Sequence, residues 1–97
     1  YNTWHLPIII TGDLNATPDS DVIKSISHFS GCGESLRDVT SDLGSTFHSY
    51  RPDKPGSKID YIFTNLPCDT SKSFLLKENV EGVFLSDHYP VCATIKL

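Results

Sequence analysis

Five residues have types and placements that could do chemistry together: Asp13, Asn15, Asp60, Asp87 and His88. Residues 6 to 18 read Leu-Pro-Ile-Ile-Ile-Thr-Gly-Asp-Leu-Asn-Ala-Thr-Pro, a β-branched run that changes abruptly into a turn carrying two short polar side chains. Asp13 and Asn15 emerge at the end of that run. Positions i and i+2 of an extended chain share a side, so a carboxylate and an amide would converge on one ligand while Leu14 points back into the core. The competing reading is an ordinary strand followed by an Asx turn, because Asp and Asn bond their own backbone in turns. Asp60 is a carboxylate inside Lys58-Ile59-Asp60-Tyr61-Ile62-Phe63-Thr64. Ionised and unpaired there it would be costly, so it either faces solvent or has a donor beside it. Asp87 and His88 sit in a loop, and neighbours in an extended chain point to opposite faces, so they are expected to do different jobs.

Acids, one amide and one imidazole at strand ends form an inventory suited to phosphoryl transfer. Hard oxygen ligands such as Asp and Asn suit Mg²⁺ or Mn²⁺. Hydrolysis of a phosphate ester needs a water activated, the charge on the equatorial oxygens balanced and the leaving oxygen stabilised. A histidine, with an ordinary pKa of about 6.5, can be held protonated by a carboxylate such as Asp60 and offer a charge-assisted hydrogen bond to phosphate. No Ser or Cys lies in a nucleophile elbow, which disfavours a covalent hydrolase. The alternative class is a binding or scaffold half-domain in which Asp60 and His88 form a merely structural ion pair.

The elements that must position these groups follow from pattern. Ile8, Ile9 and Ile10 have the continuity of a strand covered on both faces, and Pro18 stops it from running on. Asp19 or Ser20 can cap a helix through about Phe29, with Val22, Ile23, Ile26 and Phe29 on one face and His28 at its C-terminal end. Gly31-Cys32-Gly33 terminates it, and Leu36 to Val39 is a helical turn or the start of a strand. Thr46-Phe47-His48-Ser49-Tyr50 alternates and is predicted as a short strand. Residues 51 to 58 form a loop with four charges and two prolines. Its Arg51, Lys54 or Lys58 would supply positive charge to an anionic substrate, Lys58 above the others, although a solvated loop accounts equally for the other two. Lys58 to Thr64 is a strong strand, Ser73 to Val80 another, and Val91 to Leu97 alternates as a strand buried on one face.

Ninety-seven residues suit one domain at most. The chain is 38% hydrophobic and 21% charged, and no apolar run approaches the roughly 20 residues of a membrane span, so a soluble chain is expected. A net charge of −4 would repel a polyanion, so such a substrate must be held by local cations or a metal, and a basic-patch nucleic-acid binder is disfavoured. Cys32, Cys68 and Cys92 are too widely spaced for a zinc site and read as free, Cys92 as a small core residue. The chain contains no Met and begins at Tyr1-Asn2-Thr3-Trp4-His5, so it reads as a piece of something longer, and its compartment is open.

Gly12-Asp13-Leu14-Asn15-Ala16-Thr17-Pro18, Lys58-Ile59-Asp60-Tyr61-Ile62-Phe63 and Ser86-Asp87-His88-Tyr89-Pro90-Val91 resemble, in order, the three C-terminal motifs of the endonuclease/exonuclease/phosphatase (DNase I-like) superfamily. Its members include nucleases, deadenylases, sphingomyelinases and inositol polyphosphate 5-phosphatases. The resemblance implies the C-terminal half of a four-layered α/β sandwich, with a mixed, mostly antiparallel sheet and one main helix, so that residues 1 to 97 make a single partial domain. It implies a catalytic set of Asp13, Asn15, Asp60 and His88. Asp13 orients or deprotonates the water, Asn15 positions it with the phosphate, Asp60 orients and charges the imidazole, and His88 binds the phosphate. Asp87, with Asp13 and Asn15, would hold Mg²⁺ (or Mn²⁺), and His48 and Lys58 would bind substrate. The implied substrate is a phosphate ester of nucleic acid, an inositol phosphate or a phospholipid head group. The family's principal metal-binding Glu belongs to an N-terminal half that this chain lacks. The parent is therefore expected to be a phosphoesterase and the 97-residue piece alone inactive. The missing half of the domain is the expected partner, and a sheet left uncovered could drive dimerisation.

Overall fold

β3 (Asp60–Thr64) is the centre of the molecule, because its residues after Asp60 are all buried. The computed structural model describes residues 6–27 and 36–97. β1 (Ile9–Asp13) and β2 (Arg37–Asp38) flank β3 in a three-stranded antiparallel sheet of order β1-β3-β2. The helix α1 (Asp21–Ser27) follows β1, and β4 (Phe74–Leu75) pairs antiparallel with β5 (Val91–Cys92) in a second small sheet. Between β3 and β4 a 3-10 turn covers Thr70–Lys72, capped by the Asp69 side chain. The expected α/β chain with a mostly antiparallel sheet and one helix is therefore present.

Alternation along β3 sorts its side chains. Tyr61 and Phe63 share one face, with stacked rings 5.4 Å apart, and join Ile23 of α1 and Leu36 in the core. Ile8, Leu14, Ala16 and Ile26 pack against that cluster, so Leu14 does turn inward as its position after Asp13 requires. Asp60, Ile62 and Thr64 take the opposite face. Thr64, fully buried, donates its hydroxyl to the Ile8 carbonyl at 2.8 Å and accepts the Leu66 amide at 3.0 Å, which fixes the far end of the β1–β3 ladder.

Ser20 rather than Asp19 caps α1. Its hydroxyl accepts the Ile23 amide at 3.4 Å and its carbonyl accepts the Lys24 amide at 3.1 Å. Asp19 instead accepts a 2.5 Å hydrogen bond from the Thr17 hydroxyl, which holds its carboxyl below the usual range. The helical face is narrower than its pattern suggested: Ile23 is buried and Ile26 half-buried, but Val22 is exposed. The predicted extension to His28 and Phe29, and the glycine stop at Gly31-Cys32-Gly33, lie outside the described residues.

Three other expectations are corrected. β1 is not covered on both faces: Ile9 and Ile10, which point to opposite sides, are 49% and 38% exposed. β-branched residues signal a strand, but cover depends on what packs against it. The segment 46–50 is no strand. Phe47 forms single bridges to Ser57 and His88, and Ser49 and Tyr50 then turn through positive φ values of 53° and 57°. The strands predicted over 73–80 and 91–97 shrink to the two-residue β4 and β5, with a further bridge between Cys68 and Ile95. The start of the former Leu36-to-Val39 ambiguity resolves as strand β2.

Candidate functional site

The β1–β3 register sets Asp13 directly opposite Asp60. Like charges on directly opposed residues destabilise a sheet, so this corner needs a cation. His88 supplies it. Its Nδ1 lies 2.8 Å from Asp60 Oδ2 and its Nε2 lies 3.8 Å from Asp13 Oδ2, so each ring nitrogen faces a carboxylate. The hydrogen bond to Asp60 holds the imidazole pKa above its ordinary value against the opposing effect of burial, and the charges of Asp60, Asp13 and Asp87 add to it. The Phe47 ring packs on the imidazole at 5.0 Å. Asp60 thus has the partner its apolar setting called for.

Asp87 reaches the same corner, with Oδ1 3.9 Å from His88 Nε2. Its carbonyl accepts the His48 and Ser49 amides at 2.8 and 3.2 Å, and the Ser86 hydroxyl accepts the His88 amide at 3.1 Å. At the end of β1 the strand and turn readings prove compatible. Asp13 Oδ1 accepts the Asn15 amide at 2.9 Å in an Asx turn, which leaves Oδ2 for His88. Asn15 takes a φ of 50°, so the chain does not stay extended as supposed, and Asn is among the few residues that adopt that region readily. The next turn is tied down from beneath: the Tyr61 hydroxyl donates to the Ala16 carbonyl at 2.6 Å.

Residues 5–88 match the model of the Endonuclease/Exonuclease/phosphatase family. The chain belongs to this family. Among solved structures it is similar to the endonuclease/exonuclease/phosphatase from Bacteroides vulgatus, with a TM-score of 0.78 and 29% identity, over 94% of this chain and 36% of that one. A functionally unknown conserved protein from Enterococcus faecalis V583 shares the fold, with a TM-score of 0.74 at 24% identity over 93% of this chain and 36% of that one. The chain thus spans about a third of the length of these relatives, and its architecture is part of a DNase I-like α/β fold. Among curated proteins none matches. Members of the family are in general divalent-metal-dependent hydrolases of phosphate esters, and no helix among the described residues is long and apolar enough to cross a membrane.

The two other residues singled out for the family's substrate, His48 and Lys58, are buried. His48 accepts the Tyr50 amide at Nδ1 at 3.0 Å and packs among the rings of Tyr50, Phe84 and Tyr89. Its Nε2 is buried without a hydrogen-bond partner among the described residues. Lys58 directs its ammonium inward, 3.3 Å from Asp38 Oδ2, where it donates to the Thr40 hydroxyl at 3.1 Å and the Asp60 carbonyl at 3.0 Å, over the Tyr61 ring. A Lys closing a charged loop resembles a surface cation in sequence; only the β2–β3 pairing reveals Asp38 as its partner.

Asp13, Asp60 and His88 could offer one ligand atom each within 4.8 Å of one another. The two carboxylates fit a hard divalent cation such as Mg²⁺ or Mn²⁺ in donor chemistry, while the 2.8 Å contact commits one Asp60 oxygen to His88, whose charged imidazole donates and does not ligate. Asp87 stands beside this group rather than within it. Sequence reasoning passed over Asp38 and Thr40 and read Thr46 only as part of a short strand, yet the side chains of all three hold the site from behind. A Thr and an Asp before turns carry no signal that separates such a role from ordinary loop chemistry.

Proposed function

We propose that the full-length protein carrying this chain is a divalent-metal-dependent phosphoesterase that attacks its substrate with an activated water, and that residues 1–97 are one part of its catalytic domain. The observation that carries this reading is the Asp13–His88–Asp60 array, in which one imidazole is flanked at both nitrogens by carboxylates. Asp60 accepts the Nδ1 proton, orients the ring and favours its charged form, so that Nε2 donates a charge-assisted hydrogen bond to a phosphate oxygen. Asp13 presents Oδ2 at an exposed corner, where it orients a water and takes its proton. Asn15, held in the same turn, positions the water and the scissile phosphate. Asp87, with Asp13 and Asn15, would hold Mg²⁺ or Mn²⁺, which when bound balances the charge on the phosphate oxygens. The buried Lys58 and His48 serve the site by holding Asp60 and Asp87 in place. The 97-residue piece alone is expected to be inactive, since it spans about a third of its relatives.

Fold does not fix the substrate, so the ester is defined by test. Hydrolysis of a chromogenic phosphodiester and a phosphomonoester is measured on the full-length protein with Mg²⁺, with Mn²⁺ and with chelator. Metal-dependent turnover that falls by about 10²- to 10⁴-fold in His88→Ala and in Asp13→Asn is the expected result. The preferred ester then directs trials with nucleic acid, inositol phosphate and phospholipid head groups. Turnover that survives both substitutions removes the proposed roles and favours a binding half-domain.

A further inference from the structure

The Asp60–His88 contact joins residues from two distant parts of the chain, and neither β3 nor the 86–89 loop holds the other in place by direct backbone pairing. What lies between them is residues 46–49. Thr46 is fully buried and occupied on every side. Its hydroxyl accepts the Ile59 amide at 3.0 Å and the Asp60 amide at 3.1 Å. Its own amide donates to the Ser57 carbonyl at 2.9 Å, and its carbonyl accepts the Tyr89 amide at 2.7 Å. One residue therefore holds the amide of Asp60 itself and the amide of the residue next to His88. Phe47 continues the strap by bridging to Ser57 and to His88 and packing its ring at a tilt against the imidazole. His48 and Ser49 complete it by donating to the Asp87 carbonyl.

We propose that Thr46 is the positioning residue of the acid–imidazole pair: its hydroxyl sets where β3 begins, its carbonyl sets where the histidine loop lies, and their separation within one residue fixes the Asp60–His88 distance. The hydroxyl is the replaceable half of this clamp. Its loss frees two half-buried amides at the entry to β3 and lets Asp60 move relative to the ring, while the carbonyl continues to hold the loop. Thr46 touches neither imidazole nor carboxylate side chain in this arrangement and acts through backbone placement alone. The inference rests on the phosphoesterase reading for its catalytic consequence, but its geometric content stands apart from it.

The test uses the full-length protein with Thr46→Val, Thr46→Ala and Thr46→Ser. Val matches the shape without the hydroxyl, Ala leaves room for water at the two amides if Val does not fold, and Ser keeps the hydroxyl. The readouts are the low-field proton resonance of the His88 Nδ1–H···Asp60 hydrogen bond, assigned by its loss in Asp60→Asn, and kcat and KM on the preferred ester. In the variants that keep a folded circular-dichroism spectrum, Val and Ala are expected to lose the resonance. Their kcat falls by about 10²-fold, the scale of a roughly 1 Å misplacement, with KM little changed. Ser is expected to restore both. A folded Val or Ala variant that keeps the resonance overturns the proposal, as does a wild type without it. A wild type that shows the resonance and hydrolyses no ester refutes the phosphoesterase reading instead, and leaves Thr46 to be judged on the resonance.

Discussion

Lys58→Met separates a lysine that meets substrate from one that supports the site. The Lys58 ammonium lies 3.3 Å from Asp38 Oδ2, and the side chains are 8% and 13% exposed. Removing one partner of a buried pair leaves a charge without compensation and costs about 3 to 5 kcal/mol. The lost hydrogen bonds to the Thr40 hydroxyl and the Asp60 carbonyl place this substitution within that range rather than below it. Asp38→Asn relieves the stranded charge. Its remaining oxygen still accepts the Thr40 amide and hydroxyl, which Asp38 Oδ1 holds at 2.9 and 2.7 Å. The double variant should therefore recover about half of the Lys58→Met loss, about 2 kcal/mol. Urea unfolding of the four proteins at neutral pH measures the cycle, and steady-state kinetics on the same samples show whether KM moves. A Lys58→Met variant that loses less than about 1 kcal/mol refutes the reasoning. So would a KM raised about tenfold at unchanged stability, because the ammonium would then be leaving Asp38 to bind phosphate.

Three further outcomes are expected. Because the folded-state pKa of His88 is raised, chiefly by its hydrogen bond to Asp60, the pair's contribution is fully present below about pH 6.5 and is lost as pH rises through the folded value. Urea midpoints measured with chelator should then show wild type and Asp60→Asn converging as pH increases, and a pH-independent gap refutes this. Gly56→Ala should destabilise by about 1 to 3 kcal/mol, since a Cβ there would lie 2.3 Å from the Phe47 carbonyl oxygen; an unchanged urea midpoint would show that the strap gives way easily. The Tyr61 phenol is pushed up to about 12, first by burial and then by Asp38, Asp19 and Asp60. Ultraviolet titration of wild type against Tyr61→Phe should show the missing phenol at the alkaline end, and a difference centred near pH 10 would contradict its burial.

What was legible in the sequence was chemistry that announces itself by contrast. Asp60 stood out because an acid among Ile, Tyr and Phe needs a partner, and it has one in His88. The strand at β3 and the cap near Ser20 were readable for similar reasons of local pattern. Illegible were features set by cover and by long-range pairing. The isoleucines of β1 look buried from their type, yet nothing among the described residues encloses them on both faces. The stretch around Phe47 alternates like a strand but is consumed by separate bridges to two partners. Lys58 and His48 were readable as polar residues near the site, but the direction of the ammonium and the ring depends on Asp38, Phe84 and Tyr89, which are remote in sequence.

The opposition of Asp13 and Asp60 across β1 and β3 determines which changes of chain length the site can absorb. Residues added in connecting segments outside α1, β2 and residues 46–57 lengthen a connection and leave the two acids where they are, because the ladder and not the loop measures their separation. One residue added inside Ile9–Asp13 or Asp60–Thr64 acts differently. Side chains alternate with a period of two, so a single-step slip carries one carboxylate through to the far face of the sheet, away from the imidazole. Changes of length are thus tolerated in the loops between these braced segments and excluded from two five-residue stretches, where a shift by one position undoes the pairing however well each residue is kept.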